Sequence, residues 1–214
     1  MHLRGQCPQG LFVGLDFSFS FPAWFVRQRG HHNAAGVWRD VATHGEEWLD
    51  GCQPPFWGKK GDRRPGTEQL RHTEQDASVG SRTPKSTFQI RGAGTVGTGS
   101  LRGMPALLDL QSSGFSIWPF DPPRPHMVLE VYPRLCTGPV NKGSRDARAA
   151  YLDNAPWTLT TTQREHAVGS EDAFDAAISA LVMDTHTDSF RSLHQTDDPV
   201  TMLEGRIWDP RSIG

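Results

Sequence analysis

Four acidic residues have the type and setting for metal or acid–base chemistry: Asp16, Glu130, Asp172 and Asp175. Asp16 closes the apolar run 11–16 (LFVGLD), and Glu130 lies inside VLEVY at 128–132. An acid within a buried strand is costly to desolvate unless it is paired or bound to a cation. On a helical wheel of residues 171–183, Asp172, Asp175 and Ser179 share one face, flanked by Ala176, Ala180 and Met183. Phe174, Ala177, Ile178 and Leu181 lie opposite. Two strand acids and two helix acids form an all-oxygen donor set of the kind that hard cations such as Mg²⁺ prefer. A pair of such ions about 3.5–4 Å apart activates water and steadies the leaving oxygen of a phosphodiester. Simpler roles remain open. Asp172 suits the dipole of a first helical turn, and Glu130 either pairs with Arg134 or points outward from an edge strand.

The cations are unevenly spread. Residues 59–102 hold nine Lys/Arg against four acids, a net of +5, whereas 165–214 hold ten acids against three arginines, a net of -7. A basic middle and an acidic end suit a polyanion and a divalent metal, or are two solvated surfaces that balance each other. Lys85, Arg91 and Arg102 flank the glycine-rich stretch GAGTVGTGS at 92–100. That places Lys85 and Arg102 for phosphate contacts, with a plain structural turn as the alternative. Gly92-x-Gly94-x-x-Gly97 matches a dinucleotide fingerprint, but the following helix is expected only from Leu101, too late for that motif. His31, His32 and His44 lack zinc-like spacing, as does Asp184-x-His186-x-Asp188. The seven tryptophans include candidates for base stacking, although core or groove-lining roles account for them equally well.

These residues need a scaffold. The chain has 214 residues, 36% hydrophobic and 21% charged, with a net charge of -2, enough for one domain with a true core and not a generally basic coat. No apolar run reaches the roughly 18 residues of a membrane span. Three scattered cysteines and the absence of an apolar leader point to a reducing cytoplasm. Strands are expected at 11–16, 115–120 and 127–132, and helices at 34–49, 101–110, 145–152 and, capped by Ser170, 171–185. Pro22 starts a further helix, and a short one after Pro199 leads into Arg206-Ile207-Trp208. Strands alternating with helices define an α/β layer fold. Residues 51–86 are polar and broken by Pro and Gly, which marks an irregular insertion.

LFVGLDFSFSFPAWF, KSTFQIRGAGTVGTGSLRG, IWPFDPP, VLEVYPRL and SEDAFDAAISALV together resemble the domain of unknown function 429 family, over nearly the whole stretch 11–208. VLEVYPRL followed by EDAFDAAISALV is the most specific part. The resemblance implies a three-layer ribonuclease H-like α/β fold and a predicted nuclease. In such a fold a strand acid and the acids of the last helix converge at one sheet end. Asp16, Glu130, Asp172 and Asp175 would then be catalytic residues holding Mg²⁺ or Mn²⁺, Lys85 and Arg102 would meet phosphate, and nucleic acid would be the partner. Family members open with an earlier acid-bearing strand, whereas GLDFSFSFP matches a later, internal one. The expectation is therefore an irregular leader at 1–10 and a single domain at 11–214 that lacks its opening strands and first carboxylate. A catalytically inactive remnant or binding module of the same fold is the alternative.

Overall fold

The computed structural model describes residues 10–62, 66–77, 79 and 83–212. The expectations placed on residues 1–9, and on Arg63, Arg64 and Arg82, lie outside this set.

Four parallel strands form the sheet: β1 (Leu11–Leu15), β2 (Ser116–Ile117), β3 (His126–Val131) and β4 (Ile207–Trp208). β3 is the axis. β1 runs along one of its edges, pairing Leu11 with His126 through to Leu15 with Glu130. β2 joins the other edge at Met127 and Val128, and β4 follows at Glu130 and Val131. The three expected strands are thus neighbours, with β3 between the other two. β2 is shorter than expected because the chain turns at once: Asp121 Oδ2 accepts from the Ile117 N–H at 2.9 Å, and Pro119 has no N–H for a ladder.

Side-chain alternation sends the two sides of each strand into different cores. Leu11, Val13 and Leu15 of β1 and Val128 of β3 pack under α2 (Ala34–Gly51) and α4 (Val96–Ser112), against Trp38, Val41, Leu101 and Met104. Phe12 of β1 and Met127, Leu129 and Val131 of β3 face α8 (Glu171–Thr185) and α9 (Thr187–Arg191), meeting Met183 and Phe190. Helices cover both faces, a three-layer α/β arrangement. Beyond α8, its Phe174 and Ile178 bury against α6 (Arg145–Asp153) and α7 (Thr161–Gly169) through Leu152 and Val168, as the wheel requires.

The segment 51–86 departs from a surface insertion. It carries one turn of 3₁₀ helix, Thr67–Gln69, and the short α3, His72–Asp76. Cys52 and Phe56 belong to the main core, and Arg71 is fully buried. Composition hides this, because a buried ion pair, Arg71 with Glu74, and apolar side chains such as Cys52 and Phe56 anchor an otherwise polar stretch.

α4 also starts earlier than expected, at Val96 rather than Leu101. Its glycines fit a crowded start: a Cβ on Gly97 would lie 2.1 Å from the Thr87 carbonyl oxygen. Pro105 is therefore inside the helix, where it cannot bond the Leu101 carbonyl. Gly45 of α2 lies opposite that carbonyl and lets the two helices approach closely.

Candidate functional site

β1 ends at Leu15, and the next residue, Asp16, projects beyond the sheet at the carboxyl ends of the strands, where open α/β sheets place their ligands. α8 crosses this end. Ser170 caps it by accepting from the Ala173 N–H at 3.0 Å, which puts Asp172 in the first turn and Asp175 one turn on. α5 (Pro133–Thr137), which follows β3, packs against α8. Asp16, Asp172 and Asp175 accordingly line one cleft of about 740 Å³.

The same cleft also carries cations. Lys85, Arg134 and Lys142 line it together with Gly94, Thr95, Val96 and Gly99 from the start of α4. The N–H groups of that helix end carry partial positive charge. Lys85 Nζ donates to the Ala93 carbonyl at 2.9 Å, which drapes the side chain along the rim. Arg134 is held by the Gly138 and Val140 carbonyls at 2.9 and 2.8 Å. Lys142 forms an ion pair with Asp175 Oδ2, both side chains being largely buried.

The acids strain one another. Burial, with the charges of Asp175, Glu130 and Asp172 added, raises the Asp16 carboxyl to about 6, against the pull of Lys142. Asp16 itself is exposed to solvent at the strand end, so its shift reflects its crowded acidic surroundings as well as its neighbours' bulk. Burial likewise raises Asp175, opposed by its hydrogen bond to Lys142. Asp175 Oδ1 is buried without a hydrogen-bond partner, and one turn further on the buried hydroxyl of Ser179 lies beside the Cys136 thiol.

Two expected site residues are placed elsewhere. Glu130 pairs with both Arg71 guanidinium nitrogens and accepts from the Phe19 N–H at 2.9 Å. Arg71 also binds Glu74 at 3.0 Å, so this strand acid belongs to a buried charge network on the other face of the sheet. The expected partner, Arg134, is not involved. Arg102 meets Glu46 at 2.9 Å on the exposed side of α4, away from the cleft. Sequence reasoning missed Lys142, which lies in a turn (VNKGS) with no motif signal.

His31 and His44 are also more organised than their spacing suggested. His31 Nε2 and His44 Nδ1 lie 2.9 and 2.8 Å from the Asp40 carboxylate, which Arg29 grips as well. Burial alone would raise Asp40, but these bonds, led by that to Arg29, hold it well below the usual carboxylate range. Trp24 is the large apolar side chain left exposed among the described residues, and its indole N–H bonds the Glu68 carbonyl at 2.8 Å.

Fold and site thus define an α/β protein with helices on both faces of a parallel sheet and a cleft at the strand ends lined by acidic and basic side chains. No family model, curated protein or solved structure matches this chain. Among the described residues, no helix is long and apolar enough to cross a membrane.

Proposed function

We infer that this protein is a metal-dependent phosphodiester hydrolase of the nuclease kind, on a ribonuclease H-like fold, with nucleic acid as its substrate. One observation carries the reading: Asp16, Asp172 and Asp175 share a single cleft at the strand ends with Lys85, Lys142 and the start of α4.

Among the described residues, no three Asp, Glu, His or Cys side chains are already grouped tightly enough to hold an ion. The donor chemistry nevertheless suits one. The three carboxylates offer only oxygen, and Asp175 Oδ1 is buried without a partner. Asp16, Asp172 and Asp175 would hold Mg²⁺ or Mn²⁺, with Lys142 exchanging its Asp175 partner for a substrate phosphate. The ion, when bound, supplies Lewis-acid stabilisation of charge on a phosphoryl oxygen. The protein's own groups do the rest. Lys85 and the α4 amides orient the phosphate. In the net reaction a water oxygen bonds to phosphorus, the ester P–O bond breaks, and the departing oxygen gains a proton.

A second reading, a non-catalytic binding module, draws on the commitment of Glu130 to Arg71 and of Asp175 to Lys142. Melting against Mn²⁺, with Ca²⁺ as control, separates the two, because a ligand of the native state alone raises the melting temperature with concentration. The hydrolase reading expects such a rise, weakened by Asp175→Asn. No rise at millimolar Mn²⁺ removes the metal site and leaves the binding module.

A further inference from the structure

The acids stand where two cavities meet. Asp16, Pro133, Asp172 and Asp175 line the cationic cleft and also a second space of about 640 Å³, within the usual range of roughly 300–1,000 Å³ for ligand pockets. This second space is a groove between β1 and α8, walled by Leu11, Phe12, Leu15, Ala176, Ala180 and Met183. Both odd and even residues of β1 line it, as expected of a space beside a strand edge and not over one face. Among the described strands β1 pairs only with β3, so that edge is open.

A site with one cationic arm and one apolar arm selects a ligand of matching polarity. We propose that it takes a phosphate ester with a single apolar substituent, the phosphate against Lys85 and Lys142 and the substituent in the groove beside β1. This rests on the phosphodiester reading above and narrows it. The interior of a polynucleotide would carry a second phosphate into the groove. There Asp184 would repel it, and Arg191, in an exposed ion pair with Asp188, is the one Lys or Arg among the described residues of that lining. The end of a strand, or a small ester, avoids that conflict.

The test is a calorimetric binding series on the intact protein with methyl, butyl and hexyl phosphate in the presence of Ca²⁺. A buried methylene contributes about 0.8 kcal/mol, so Kd should fall roughly fourfold per methylene until the groove is full. Ala180 and Ala176 are exposed on α8, so Ala180→Trp and Ala176→Leu can fill the groove without disturbing the core, and both should flatten the dependence on chain length. Lys85→Met should weaken every member by a similar factor and keep the slope. A flat series in the wild type, or a slope that survives both groove-filling variants, overturns the proposal. So does a concentration-dependent dimer broken by Ala180→Trp with no chain-length effect, since the groove then receives a strand of a second copy. If Mn²⁺ raises the melting temperature while the series is flat, the hydrolase reading stands and this inference falls. If Mn²⁺ has no effect, that reading falls whatever the series shows.

Discussion

Glu130 is the register partner of Leu15, the last residue of β1, and so its side chain leaves the sheet on the side opposite Asp16. Partners in a parallel ladder point the same way, and a step of one residue reverses the face. Leu15 points into the core under α2 and α4, and Glu130 follows it to meet Arg71. Asp16, one residue on, turns toward α8 and the cleft. Two acids at the same end of adjacent strands thereby serve different ends, one structural and one facing the ligand space.

Substitution separates those roles. Glu130→Gln leaves Arg71 with Glu74 as its remaining charged partner in the core, and breaking a buried pair of this kind costs about 3–5 kcal/mol. Urea denaturation should show that loss, while the melting response to Mn²⁺ should match wild type. Asp175→Asn should diminish the response, and it should cost less stability than Glu130→Gln because burial already raises the Asp175 carboxyl against its bond to Lys142. A Glu130→Gln protein that is stable yet blind to Mn²⁺ would return Glu130 to the metal site.

The raised Asp16 carboxyl predicts a pH effect. Its folded value of about 6 exceeds the ordinary 3.8, so the native state holds the proton more tightly than the unfolded chain. Its charge therefore penalises the fold fully above pH 6, and the penalty is relieved as pH falls through 6 and is gone only below 3.8. Raised Asp175 and Glu74 act in the same direction. Without metal, Asp16→Asn should melt above wild type at pH 7.5, and the gap should narrow steadily toward pH 4. Equal melting temperatures at pH 7.5 would refute the effect.

Two glycines in the first turn of α4 should respond with opposite signs. A methyl group on Gly99 would meet nothing within 4 Å, so Gly99→Ala should stabilise by about 0.5–1 kcal/mol through helix propensity. The same change at Gly97 would drive a methyl to 2.1 Å from the Thr87 oxygen and 2.9 Å from the Gln89 oxygen, so the clash should outweigh the gain. Chemical denaturation of both variants checks the pair.

Much of this was legible in the pattern. Residues 11–16 and 127–132 read as strands, and β1 and β3 lie within a residue of those limits; Ser170 and the two-faced spacing of 171–185 marked α8 and its cap. The convergence of Asp16, Asp172 and Asp175 followed from these elements. The face of Glu130 was hidden, because it depends on the register against β1, which no single strand reveals. Lys142 was hidden because a turn residue reaches the site only through packing of α5 against α8. The early start of α4 was masked by glycines whose poor helix propensity is overridden by close packing at Gly97.

Arg71 gives the segment 51–86 a further significance. It ties a stretch that looks dispensable to β3 through Glu130 and to the Glu204 carbonyl near the chain's far end, at 2.9 Å. Lys85, which lines the cleft, follows within the same segment. Loosening this one guanidinium would therefore loosen the segment that carries Lys85 together with the counter-charge of a central strand. A protease cut or hydrogen-exchange opening in this stretch should thus report on the Lys85 side of the cleft.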